Sequence, residues 1–187
     1  MFDMRRREFI TLLGGAAAAW PLAARAQQPE RVRRIGVLMG VVESLPVYRA
    51  NLGALREGLQ TLGWTDGRNV RIDTRWAAPG NVEALQLGAK ELVAMQPDLV
   101  LSHTTPTTAT LLQQTRSIPI IFVFVTDPLG SGFVASFSHP GGNVTGFIVV
   151  EPGVAGKWLE LLKEIAPRVS RVAFLFNPTT APYAEIF

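Results

Sequence analysis

The stretch that decides the fold is DLVLSHTTPTTATLLQQTRSIPIIFVFV, residues 98 to 125. It opens with a short apolar run over 98–102 that predicts a strand. A segment with two adjacent leucines and a proline near its first turn follows, and predicts a helix over 104–116. The final run, 118–125, is so apolar that both of its faces must be covered. Buried strands that alternate with helices are typical of parallel sheets, so the stretch predicts a β-α-β unit.

The same alternation extends back towards the N-terminus. Residues 34–40 and 70–76 predict two more strands, and leucines spaced three and four apart predict a helix over 47–62. Asn81 is a candidate N-cap for a further helix that runs to Met95. Three strand–helix repeats followed by a fourth strand predict an α/β fold with a doubly wound parallel sheet. We assign residues 34–126 to this first lobe.

The pattern resumes after a segment rich in glycine and proline, 127–146, which we interpret as a crossing or hinge region. Beyond it we predict a strand over 143–150, a helix over 154–165 and a strand over 171–176. A single β-α-β unit cannot cover both faces of its own sheet. Residues 147–187 therefore predict an incomplete second α/β lobe.

Composition narrows the function classes. The chain has 187 residues, of which 48% are hydrophobic and 18% charged, so it can form a core. Its formal charge is +3, but the first 26 residues hold four Arg, one Asp and one Glu, so they carry +2 and leave +1 for the rest. Without a basic run interleaved with aromatic residues, nucleic acid is not an expected partner. The lack of Cys excludes disulfides, a lipoprotein anchor and thiol catalysis.

The N-terminus has the features of an export signal over residues 1–26. A basic segment precedes an apolar stretch, and Ala-Arg-Ala at 24–26 predicts cleavage after Ala26 and a periplasmic location. The apolar stretch is short for a membrane span, so we expect no membrane insertion after cleavage. Arg6, Arg7 and Phe9 resemble the twin-arginine pattern, and a general secretion signal is the alternative. Residues 27–33 form a linker.

Candidate ligand contacts follow the predicted strands at their carboxyl ends, where open α/β sheets bind ligands. Hydroxyls and backbone N–H groups at a helix N-terminus favour a carboxylate, although helix capping explains the same residues. Tyr48 is a candidate for stacking on a ligand. The polar candidates are Ser102, Thr104, Thr105, Thr107, Thr126 and Asp127.

Catalytic motifs are missing from the sequence. It contains no GxSxG, HExxH or Walker pattern and no GxGxxG after the first strand. Two distant His and no Cys do not offer the ligands that a metal site would need. We predict no catalytic residue, no metal and no cofactor.

The segment PGGNVTG, residues 140–146, together with Asp127-Pro128 and RIGVLMG at 34–40, resembles the substrate-binding proteins of ABC transporters, the TrpX-like group among them. The resemblance implies a type I periplasmic-binding-protein fold, in which two lobes close on a small ligand. It places first-lobe ligand contacts in 102–107 and at Thr126 and Asp127. The hinge would include Gly141, Gly142, Asn143 and Thr145.

The resemblance also implies a function. The chain would be the periplasmic solute-binding component of an ABC importer, which delivers a small organic solute, with amino acids as one candidate class, to an inner-membrane permease. Family members are about twice as long as one lobe, so the chain resembles a C-terminally truncated member. An exported ligand-sensing module for a signalling partner is the alternative, and an α/β enzyme that uses Asp127 as an acid is a third.

Overall fold

The computed structural model of the chain describes residues 31–148, 154–173 and 175. The predicted export signal, with Arg6, Arg7 and Phe9, lies outside the described residues, as does most of the predicted linker. The described strands are β1 (Arg33–Met39), β2 (Val70–Trp76), β3 (Leu99–His103), β4 (Ile120–Val125) and β5 (Val144–Ile148). The described helices are α1 (Pro46–Thr61), α2 (Val82–Ala94), α3 (Thr105–Gln114) and α4 (Val154–Ile165).

The strands form one parallel sheet in the order β2-β1-β3-β4-β5. In this register Met39 at the end of β1 lies between Trp76 of β2 and His103 of β3. The carboxyl ends of three strands therefore meet at one edge of the sheet. The prediction of an α/β fold built on a parallel sheet is confirmed.

Both faces of β1 are covered, by different helices. Val37 and Met39 pack with Leu52 of α1 on one face. Leu38 packs on the other face in a larger cluster that includes Leu92 of α2 and Leu111 of α3. Successive side chains of a strand point to opposite faces, so α1 lies on one face of the sheet and α2 and α3 lie on the other. Full burial of each of these large side chains is worth roughly 1.5–3 kcal/mol.

The local signals for the helices hold in the structure. Asn81 caps α2, because its Oδ1 accepts a hydrogen bond from the backbone N–H of Ala84 at 3.0 Å. Pro106 stands in the first turn of α3, as predicted. Most predicted boundaries differ from the observed ones by one or two residues, a difference typical of element ends.

The prediction that β5 begins a second unit is wrong. β5 pairs in parallel with β4, with Ile120 opposite Val144, and forms the edge of the first sheet. Val144 is buried in the same core cluster as Leu111. The side-chain amide of Asn143 also donates to the carbonyl of Ile118 at 2.7 Å. The chain after β4 therefore returns to the edge of this sheet before it continues.

The predicted helix is present after β5, and the described residues of the predicted last strand are not in a strand. α4 spans the predicted residues, and Trp158 and Ile165 are among its exposed apolar side chains. Residues 171–173 and 175 form no strand, and Leu175 is 97% exposed. A strand needs a neighbour to satisfy its backbone, and no described strand lies beside these residues.

Candidate functional site

The loop after β1 touches the turn between β3 and α3 at Gly40. A Cβ at Gly40 would lie 2.6 Å from Oγ1 of Thr104, 3.0 Å from Cγ2 of Thr107 and 3.1 Å from the carbonyl oxygen of His103. Real Cβ atoms essentially never approach another heavy atom as closely as 2.6 Å. Glycine is thus required for this close approach, which joins two strand ends at the carboxyl edge.

Thr104 adopts an unusual backbone conformation at this junction. Its φ is 92°, a region that β-branched residues rarely occupy, and such outliers are concentrated at functional sites. Its N–H donates to the carbonyl of Val123 at 3.0 Å. Its carbonyl accepts hydrogen bonds from the hydroxyls of Thr107 at 2.7 Å and Thr108 at 3.0 Å. These bonds hold the strained residue in place.

Ser102 and Thr107 belong to a buried hydroxyl network. Ser102 Oγ lies 2.8 Å from Oγ1 of both Thr107 and Thr108, and all three residues are 0% exposed. The single hydroxyl proton of Thr107 is shared between the carbonyl of Thr104 and the carbonyl of His103, which lies at 2.6 Å. The network ties the first turn of α3 to β3. Thr105 is 6% exposed, and the direct ligand contact that we expected from Ser102, Thr105 and Thr107 stays a prediction.

An apolar cleft of about 220 Å³ opens beside Thr104. It lies between the loop after β1, the loop that joins β2 to α2, and the first turn of α3. Only two of its residues, Asn81 and Thr104, have polar side chains, and Asn81 is occupied as the cap of α2. The lining residues are Gly40, Val41, Ala77, Ala78, Pro79, Gly80, Asn81, Val82, Leu85, Thr104 and Pro106. The cleft therefore suits an apolar group.

The sequence interpretation missed the 77–82 side of this cleft. The residues follow β2 at the carboxyl edge, where α/β sheets bind ligands, so their position was the available signal. They carry no charged or hydroxyl side chain, so the criterion of polar side chains at strand ends does not identify them. Of the predicted ligand residues, Thr104 alone lines the cleft.

An aromatic cluster occupies the other face of the sheet at the same edge. The ring of His103 lies 5.5 Å from the ring of Tyr48 in an edge-on arrangement, and 4.9 Å from the tilted ring of Phe124. Tyr48 comes from the first turn of α1 and Phe124 from β4. The structure thus brings Tyr48, predicted as a stacking residue, next to His103.

His103 is a buried group without a polar partner. Its side chain is 4% exposed overall, and neither Nδ1 nor Nε2 has a hydrogen-bond partner among the described residues. Burial lowers the pKa of His103 below its ordinary value of 6.5, and the residue's own main chain opposes part of that effect. The folded protein therefore favours the neutral imidazole.

Asp127 begins the turn after β4. Its Oδ1 accepts a hydrogen bond from the N–H of Gly130 at 2.8 Å, and its carbonyl accepts one from Ser131 at 3.1 Å. This is the turn-forming role that Asp before Pro favours. Thr126, next to it, is partly buried. The predicted ligand contacts of Thr126 and Asp127 stay predictions.

The predicted hinge residues lie around the start of β5. Gly141 has a φ of 80°, which favours glycine, and Thr145 lies within β5. Gly142 and Asn143 come directly before the strand. The hinge role of these four residues stays a prediction.

The part of the chain that the structure describes offers neither a cluster of metal ligands nor a membrane-spanning helix. No group of three or more His, Cys, Asp or Glu side chains there is placed to hold a metal ion. Nor does that part contain a helix both long and apolar enough to cross a membrane.

Comparison with known proteins identifies the family. A family model described as ABC transporter substrate binding protein matches residues 35–186, which include the cleft, the aromatic cluster and the segment 140–146. The chain belongs to the ABC transporter substrate-binding protein family.

Three relatives illustrate the similarity. A curated tyrosine-binding protein of Clostridioides difficile is 30% identical over 151 residues, which cover 79% of this chain and 41% of the relative. A conserved domain protein of Vibrio cholerae has a solved structure with a TM-score of 0.70 and 32% identity, covering 83% of this chain and 51% of that one. A Streptococcus pneumonia ABC domain, solved in complex with L-Trp, has a TM-score of 0.61 and 34% identity, covering 73% of this chain and 44% of that one. The chain thus spans about half of these relatives or less.

Proposed function

We propose that the five-stranded sheet with α1, α2 and α3 forms the first ligand-binding lobe of a solute-binding component of an ABC importer, and that the solute is an α-amino acid with a large apolar side chain. The observation that carries this proposal is the apolar cleft beside Thr104, at the sheet edge where α/β proteins bind ligands. The protein would carry out no chemistry on the solute and would need no cofactor.

The chemistry of the cleft matches the two parts of such a solute. Ala77, Pro79 and Leu85 offer apolar surface to the side chain, at about 0.8 kcal/mol for each CH₂ group removed from water. The hydroxyl of Thr104 and the N-terminus of α3 lie at the same cleft and suit the charged carboxylate. The relatives named for tyrosine and solved with L-Trp support aromatic amino acids as the first solutes to test.

The transport role rests on family membership and on the predicted export signal. We infer that the chain is exported to the periplasm, with cleavage after Ala26, and that it delivers the solute to an inner-membrane permease. The relatives are about twice as long as the matched segment, so a second lobe would complete the cleft. A single lobe should bind the solute weakly, because it buries only one side of the solute.

Isothermal titration calorimetry of the 187-residue chain with L-Trp, L-Tyr and the other standard amino acids tests the proposal. Ala78→Trp should abolish binding because the indole would fill the cleft, of which Ala78 forms an exposed part of the wall. Ala54→Trp is the matched control, since Ala54 is exposed in the middle of α1. Equal loss of affinity in both variants, or full affinity in Ala78→Trp, would contradict the assignment of the cleft.

A further inference from the structure

The aromatic cluster contains a polar group that the fold itself does not use. The imidazole of His103 is almost completely buried, yet both of its nitrogens lack hydrogen-bond partners among the described residues. Buried polar side chains nearly always have a partner, so a buried group without one calls for an explanation. His103 directly precedes Thr104, which lines the apolar cleft.

The residue that covers the imidazole is itself in an unfavourable conformation. Phe124 has a φ of 58°, a region in which bulky side chains are outliers, and the pairing of β4 with β5 shifts register between Phe122 and Val125. Its ring is tilted against His103 at 4.9 Å while the residue is 51% exposed. A strained and half-exposed side chain can leave its position at little cost in packing.

We propose that His103, which precedes Thr104 at the same strand end, is a second contact for the carboxylate that Thr104 and the N-terminus of α3 bind, and that Phe124 covers it while no solute is bound. The proposal rests on the proposed function, whose solute it describes further. When the Phe124 ring moves aside, the N–H of the neutral imidazole would donate a hydrogen bond to a carboxylate oxygen. Tyr48 would remain against the other side of the ring and keep it oriented.

The surroundings of the imidazole favour a carboxylate over an ammonium group. The side chains that face it are Tyr48 from α1 and Phe124 from β4, and its neighbours in register are Met39 of β1 and Val123 of β4. None of these four side chains carries a carboxylate. No carboxylate is present among them to pair with an ammonium group, whereas the N–H of a neutral imidazole can be donated to a carboxylate of the solute.

Nuclear magnetic resonance of the imidazole tests this directly, because the chain contains only two histidines. In the His139→Gln variant, which changes an exposed turn, every imidazole signal comes from His103. The probes are acetate, L-Trp and L-Tyr, with tryptamine as the matched solute that lacks a carboxylate. We expect saturable changes of the ¹⁵N imidazole shifts with the three carboxylates and none with tryptamine.

Two variants test the role of His103 in binding the carboxylate separately from the role of Phe124 in covering His103. His103→Phe keeps an aromatic ring in the cluster and should weaken binding of L-Trp by about tenfold or more, because a hydrogen bond to a charged group is lost. Phe124→Ala should tighten binding of acetate roughly threefold or more, because the binding-competent state no longer competes with the covered one.

The results distinguish failure of this inference from failure of the proposed function. Imidazole shifts that respond to no carboxylate overturn the role of His103, whatever the variants do. If L-Trp then still perturbs the backbone signals of Gly40 and Thr104, the proposed function stands without it. If acetate reaches His103 but no standard amino acid binds, the contact is supported and the proposed function fails.

Discussion

The junction between Gly40 and the β3–α3 turn gives the sharpest test of the site geometry, through the substitution Gly40→Ala. The new Cβ would lie 2.6 Å from Thr104 Oγ1 and 3.1 Å from the carbonyl oxygen of His103. Part of this clash is with backbone, and the Thr104 hydroxyl can move away only by a change of χ1, which is restricted in a β-branched side chain. Overpacking of this kind costs about 1–3 kcal/mol.

Urea unfolding measures this cost. With a urea dependence of about 2 kcal/mol per molar, the midpoint of Gly40→Ala should fall by roughly 0.5–1.5 M. Gly58→Ala is the matched control, because Gly58 lies in the interior of α1 and a Cβ there meets no atom within 4 Å. The control should be stabilised, by up to about 1 kcal/mol, since alanine favours the helix. A Gly40→Ala midpoint at or above that of the natural chain would refute the close approach.

Three further predictions follow from the same edge of the sheet. Ser102→Ala should lower the free energy of unfolding by about 1–2 kcal/mol in urea titrations, because the hydroxyls of Thr107 and Thr108 both lose a buried hydrogen-bond partner. An unchanged urea midpoint would contradict the hydroxyl network. Because burial lowers the pKa of His103, the unfolded state binds a proton first as the pH falls below 6.5. The free energy of unfolding should therefore decrease from that pH down to the folded-state pKa, by up to about 1.4 kcal/mol per pH unit. His103→Leu should remove this part of the pH dependence. An identical pH profile for His103→Leu would count against the buried neutral imidazole. Asp127→Ala should speed amide hydrogen exchange at Gly130, because its N–H loses its acceptor. Asp127→Asn retains an acceptor oxygen and should keep most of the protection. Equal exchange rates in both variants would show that the side chain does not hold the turn.

The fold was largely predictable, because its signals are local. Apolar runs and leucine spacing mark the strands and helices, and Asn81 marks the start of α2 without reference to the rest of the chain. The sheet edge that β5 joins is not a local property. The glycines and prolines of 127–146 indicate turns. Such turns are equally compatible with a chain that crosses to another lobe and with one that returns to pair with β4, as β5 does.

The site was harder to predict, because residue type does not reveal which way a side chain points. Ser102 follows Val100 by two positions on β3, so both face the core beneath α3, and the period of the strand could have shown this. Thr104 reaches the cleft through a φ that no propensity predicts for threonine. Phe124 lies beside His103 where the register of β4 with β5 shifts, and the sequence of β4 does not predict this shift.

The central claim is that the carboxyl edge of this sheet binds an amino acid. Titration of the ¹⁵N-labelled 187-residue chain with L-Trp and L-Tyr, followed by backbone amide shifts, tests it most directly. We predict saturable shifts that cluster at Gly40, Ala78 and Thr104, around the apolar cleft, and none at the opposite edge near Arg33 and Asn69. Shifts confined to another surface, or no saturable shift with either amino acid, would contradict the claim.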